Sequence, residues 1–189
     1  MREGDAPMSQ LYSPTSANFW YDDAGVNHRI IPADRFRGYV EAEPAEAGRI
    51  PLSLGNAPAA NRTTPYYVQA KYDADVSPID LITWQENALM IAEMLVRDNN
   101  ATAALVEVNR VRAAAPRVMG VPALALRSTT NLDSIRLERQ KQLFATGLRI
   151  LDQRRFNDWH FPPSLANTAW YYLPISQRER NSNPNLPPN

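Results

Sequence analysis

The placement of proline is the strongest constraint on what this chain can fold into. Sixteen prolines in 189 residues crowd the first 80 positions and the last 30. Proline lacks an amide N–H and its ring clashes with the preceding helical turn, so only the stretch between is fit for long helices. The length and a 44% apolar content suffice for one core of ordinary size and do not demand two independent domains. Residues 1–65 are expected to form an irregular excursion with room for short strands, because they show no sustained hydrophobic period. Residues 66–189 hold the helical region.

Within that region, Tyr66–Tyr72 is rich in β-formers and reads as one extended piece leading into the turn signals Asp73, Asp75 and Ser77-Pro78. Thr83 with Glu86 has capping-box spacing, and Ala88, Ile91, Ala92 and Leu95 repeat at helical intervals up to Asp98. Asn100 can cap a second helix carrying Ala104, Leu105, Val108 and Val111, which Pro116 ends. So short a turn predicts a hairpin. Residues 116–130 are apolar but hold two prolines and a glycine, which fits a partly buried loop. Thr130 or Asn131 then caps a third helix with Leu132, Ile135, Arg139, Leu143 and Phe144 on one side, ended or kinked at Gly147. Leu148, Leu151 and Arg155 continue the spacing to about Asp158. The expected fold is mainly α, helical hairpins with long irregular, proline-rich arms.

Charge and chemistry narrow the function classes. Twenty basic residues balance twenty acidic ones, so no net field attracts nucleic acid. With no cysteine there is no thiolate ligand or thiol nucleophile, and His28 and His160 sit in no paired-ligand pattern; no metal site and no cofactor is expected. Asp22-Asp23 and the group Asp73, Asp75 and Asp80 lack calcium-loop spacing and read as solvated turns. Neither a nucleophile elbow nor a phosphate-cradling glycine loop is present. Glu41, Glu43 and Glu46 are close in sequence, which does not hold two acids across a cleft. No catalytic residue is assigned, and the chain reads as a non-enzyme.

Two groups remain. Exposed aromatic rings can stack on sugars, and Phe19-Trp20-Tyr21, Tyr66-Tyr67 and Trp170-Tyr171-Tyr172 are the available clusters. The first is the candidate ligand site because its surroundings look loop-like. The charged stretch from Glu138 to Arg155 reads as structure, with local pairs such as Glu138 with Lys141 and Asp152 with Arg155. Apolar flanks place Glu138, Arg139 and Asp152, with Arg155, in a partly buried network between helices.

Four pieces of the sequence resemble, in order, the C-terminal region of the SusD/RagB family of outer-membrane nutrient-binding lipoproteins. They are YYVQAKY with the helix IDLITWQENALMIAEMLVRDNN, carrying Glu86 and Ala92-Glu93; ALVEVNRVRAAA with Asn109 and Arg112; SIRLERQKQLFATGLRILDQRRFNDW with Glu138-Arg139, Leu143, Gly147, Arg149, Asp152 and Arg154-Arg155; and the ending YYLPISQRERNSNPNL. Gln142 and Thr146 depart from the family's glutamates, and Ser176 from its second proline. The resemblance implies a tetratricopeptide-like helical scaffold at the cell's outer membrane, surface-exposed, capturing an oligosaccharide or similar nutrient for a TonB-dependent transporter. It also implies that the recognisable motifs are scaffold, so no binding residue is carried over. Family members are several hundred residues long and begin with a signal peptide and a lipid-bearing cysteine, so the chain is expected to be a fragment or a reduced relative. The alternative is a helical protein-interaction scaffold without its own nutrient site.

Overall fold

A computed structural model describes residues 1–26, 32, 34–58 and 65–157. Contacts divide the chain into Met1–Asp152 and Gln153–Asn189, and of the second unit only Gln153–Asn157 are described.

Two side-chain caps set up the hairpin at the centre of the first unit. Thr83, in an extended conformation, accepts from the Glu86 N–H and starts helix α2, Trp84–Arg97; Asn100 accepts from the Ala103 N–H and starts α3, Ala101–Ala113. Asn99 between them takes a positive φ of 60°, the left-handed turn that asparagine tolerates better than most residues. The contact faces carry alanines, Ala88, Ala92 and Ala104, all fully buried, and small side chains let the axes approach. Leu89, Val108 and Val111 fill the seam, and Ile135 arrives from helix α4, Leu132–Gln142, whose start is a reciprocal cap between Asn131 and Ser134.

Helix α4 ends before the glycine. Its last carbonyls are met by the Leu143 N–H and the Thr146 hydroxyl, and the chain passes through positive φ at Ala145 and Gly147, 58° and 85°, before α5, Arg149–Arg155. The loop at 116–130 is mostly exposed, with Leu124 its buried residue.

The first third departs from the irregular excursion that its sequence suggested. It contains helix α1, Asp34–Ala42, and a 3₁₀ turn, Pro44–Gly48. No residue of α1 is fully buried; Phe36, Tyr39 and Val40 share one side of it, and the Phe36 ring lies 4.9 Å from that of Phe144. Strand β1, Met8–Gln10, pairs antiparallel with β4, Ile79–Ile82, and β2, Leu52–Pro58, pairs antiparallel with β3, Pro65–Gln69. The fold is therefore a helix-rich mixture with two small sheets, rather than mainly α hairpins with long irregular arms. Among the described residues no helix is long and apolar enough to cross a membrane.

Candidate functional site

Two constructions stand out, one buried and charged, the other aromatic and partly exposed. The charged one gathers on Glu138 of α4, whose side chain is fully buried. Arg49, just past the 3₁₀ turn, grips Glu46 with Nε and Nη2 at 2.8 and 2.7 Å and reaches Glu138 with Nη1 at 2.8 Å. Arg112 of α3 donates to Glu138 and to both oxygens of Glu43, and Arg127 adds a bond to Glu138 at 3.1 Å. Lys141 reaches Glu46 at 2.8 Å. Three carboxylates, Glu43, Glu46 and Glu138, thus meet four cations, Arg49, Arg112, Arg127 and Lys141.

Burial works against the charge of Glu138, but the nearby charges of Arg49 and Arg112, the Arg49 hydrogen bond and the charge of Lys141 outweigh it and hold the carboxyl below its ordinary range. Glu43 is likewise lowered: burial opposes its charge, and hydrogen bonds from Arg112 and the Ala125 N–H with the charges of Arg112 and Lys141 prevail. The loop after α3 is fastened to the same cluster. Asn109 accepts from the Arg127 N–H at 2.7 Å and donates to the Arg127 carbonyl at 3.0 Å, while Arg112 Nε donates to the Ala125 carbonyl.

The local Glu138–Lys141 pairing expected for this region gives way to long-range ones. Lys141 contributes its charge to Glu138, but its ammonium bonds Glu46, and Glu138 is taken by arginines, one of them 89 residues away in sequence. A guanidinium supplies fixed, forked donors that a flexible ammonium lacks. Asp152 is held by Arg139, Nε to Oδ2 at 2.9 Å and Nη2 to Oδ1 at 3.0 Å, with Glu86 of α2 a further 3.8 Å from the same guanidinium. Glu138 and Arg139 are neighbours on α4 but serve different clusters. Arg155 is exposed and lies over the Phe156 ring at 4.5 Å.

The aromatic construction is Phe19-Trp20. The rings lie 5.0 Å apart at 34°, and Phe19 is 47% exposed. Tyr21 begins a π-helical turn, Tyr21–Val26, is half-buried, and among the described residues makes no ring contact with the pair. Asn18 holds the pair in place: fully buried, it accepts from the Trp20 N–H at 2.8 Å, donates its side-chain amide to the Ser77 carbonyl at 2.7 Å and its backbone N–H to the Asp75 carbonyl at 2.7 Å. Gln69 of β3 donates to the Trp20 carbonyl. Sequence reasoning found the rings and missed Asn18, whose partners lie 59 residues away.

No family model, no curated protein and no solved structure matches the chain. The other sequence candidates resolve as follows. Tyr66 is buried and Tyr67 takes the Arg37 guanidinium over its ring at 5.5 Å. Glu41 is exposed and pairs with Arg37 at 3.5 Å. Asp73 accepts from Ser77 within a turn, and among the described residues no three potential metal ligands come together. His28, His160 and Trp170-Tyr171-Tyr172 lie outside the described residues.

Proposed function

We propose that this chain, which resembles the C-terminal region of the SusD/RagB family, is a noncatalytic binder of an oligosaccharide or other nutrient at the outer-membrane surface, serving a TonB-dependent transporter. Its hairpin α2–α3 with α4 packed on α2 is, in this reading, a tetratricopeptide-like stack. The observation that carries the binding role is the Phe19-Trp20 pair, exposed at one ring and fixed from below by a buried asparagine. Preformed aromatic surface is what sugar stacking needs, since its gain is not spent on ordering the side chains. The charged cluster is scaffold: its groups satisfy one another.

Calorimetry against a panel of oligosaccharides tests this. At least one should bind saturably, and Trp20→Ala should weaken it roughly tenfold, the equivalent of about 1.4 kcal/mol. Binding indifferent to both Trp20→Ala and Phe19→Ala would remove the platform from the reading, and hydrolysis of any panel member would replace capture with catalysis.

A second reading, a helical protein-interaction scaffold without a nutrient site, is favoured by one feature. Helix α2 exposes Met90, Ile91 and Met94 along one stripe, Met94 at 64%. It predicts no saturable binding from the panel and loss of a protein partner when Met94 becomes glutamate.

A further inference from the structure

A cavity of about 430 Å³ opens beside the charged cluster, with Lys71, Asp80, Gln142, Trp84 and Leu143 among its walls; neither Phe19 nor Trp20 belongs to them. The volume is within the range of small-molecule sites, roughly 300–1,000 Å³, and the polar groups in its walls are unevenly satisfied.

Lys71 Nζ makes one hydrogen bond, to the Phe144 carbonyl at 3.0 Å, lies over the Tyr72 ring at 5.7 Å from its centroid, and forms no ion pair among the described residues. Two of its three N–H groups are left. Asp80 is fixed by its place on β4 opposite Ser9 and accepts from the Ser9 hydroxyl at 2.8 Å; among the described residues it too has no ion pair, and its charge acts on Lys71 without contact. Burial lowers the Lys71 ammonium below the usual lysine range, with Asp80 pulling it back. The third group is Gln142 Oε1, a buried acceptor with no hydrogen-bond partner among the described residues. Arg49, also in the wall, is held by Glu46 and Glu138, and Asp5, a second wall carboxylate, accepts from the Arg2 N–H at the exposed rim.

These three groups define a complement. A simple anion would meet Lys71 but bring its lone pairs toward Asp80 and Gln142 Oε1. A simple cation would suit those two and face Lys71. A neutral polyol would leave both charges without an oppositely charged group in contact, in a partly desolvated place, which is costly. We propose that the cavity binds a small zwitterion of the α-amino-acid class, its carboxylate on Lys71 and its ammonium group shared by Asp80 and Gln142 Oε1. The apolar walls at Trp84 and Leu143 take the side chain. This site is independent of the aromatic platform and of the capture role built on it.

Calorimetry of the whole chain with L-alanine, acetate, methylammonium and D-glucose is the test. Alanine is expected to bind saturably, with acetate and methylammonium at least tenfold weaker and glucose not competing. Gln142→Leu should weaken alanine roughly tenfold to a hundredfold, the range of a lost hydrogen bond to a charged group, while the fold stays intact because the buried acceptor goes with it. Asp80→Asn, nearly isosteric, should do the same and keeps the test decisive if Lys71→Met, which also releases the Phe144 carbonyl, fails to fold. No saturable alanine binding by the unaltered chain overturns the assignment. So does acetate or glucose binding as tightly as alanine, or alanine affinity unchanged in both Gln142→Leu and Asp80→Asn.

Discussion

Removing the charge of Glu138 would leave Arg49, Arg112, Arg127 and Lys141 facing only Glu43 and Glu46, four cations against two carboxylates. Breaking one side of a buried, hydrogen-bonded ion cluster costs about 3–5 kcal/mol. Glu138→Gln is therefore expected to lower the free energy of unfolding by that amount in urea titrations at neutral pH. The same residue sets an acid dependence. The folded-state pKa values of Glu138 and Glu43 are depressed, so their contribution is fully present above the ordinary glutamate value of 4.5 and is lost as pH falls through the lower folded values. Urea midpoints should hold steady from neutral pH to about pH 5 and fall below it, more shallowly in Glu138→Gln than in the unaltered chain. A midpoint that falls equally in both proteins would mean the acid sensitivity lies elsewhere. Gly48 is constrained in another way: a Cβ there would stand 2.0 Å from the Pro116 carbonyl oxygen. Backbone must move to admit it, so Gly48→Ala should destabilise by more than 1 kcal/mol, roughly the loss expected of an ordinary substitution, in the same titration.

The elements legible in the sequence are those whose determinants are local. Thr83, Asn100 and Asn131 announce α2, α3 and α4 because a cap and an apolar period lie within a few residues of one another. Thr83→Ala should cost about 1 kcal/mol, read as a lower melting temperature with the same helical signal. Helix α1 was illegible for the opposite reason. With nothing fully buried on it, it is tied to the fold by partners distant in sequence, Phe144 for Phe36 and Gln140 and Lys141 for Tyr39. The partners of the charged residues were hidden similarly. The sequence spacing of Glu138 and Lys141 allows a pair on one helix face, but nothing local reveals that Arg49 and Arg112 arrive with better geometry. Between α4 and α5, Arg139 and Asp152 form a forked pair with both side chains nearly buried, 5% and 7% exposed. A double-mutant cycle with Arg139→Ala and Asp152→Ala should give a coupling energy near the upper part of the usual 0.5–3 kcal/mol range; a value near zero would mean the helix joint is held by packing alone.

For the molecule as a whole, the charged cluster and the proposed recognition surface draw on different residues but arise in the same way. Two of the ties between segments far apart in sequence bear on this: Glu43–Arg49 is joined to α3 and α4 through the ion cluster, and Asn18 to the loop at 75–77 through its amide and backbone N–H, with the Trp20 carbonyl held by Gln69 of β3. The first tie uses up its charges internally, so it offers little to a ligand. The second leaves rings above it, and on the capture reading it decides how well they are presented. Asn18 is fully buried, so a role in binding can only be one of position. Asn18→Ala removes the acceptor of the Trp20 N–H and the donor to Ser77, which leaves buried backbone groups unsatisfied at about 1–3 kcal/mol. It should weaken oligosaccharide binding several-fold with both rings still present, and the loss should appear mainly as faster dissociation, since a loosened platform holds its ligand less well. Asn18→Asp keeps the acceptor for Trp20 but sets a charged oxygen against the buried Ser77 contact, so it should recover affinity only at low pH, where the protonated carboxyl can donate to that carbonyl. If Asn18→Ala lowers stability while leaving oligosaccharide affinity intact, the clamp serves the fold alone, and the exposed ring of Phe19 binds without being held from beneath.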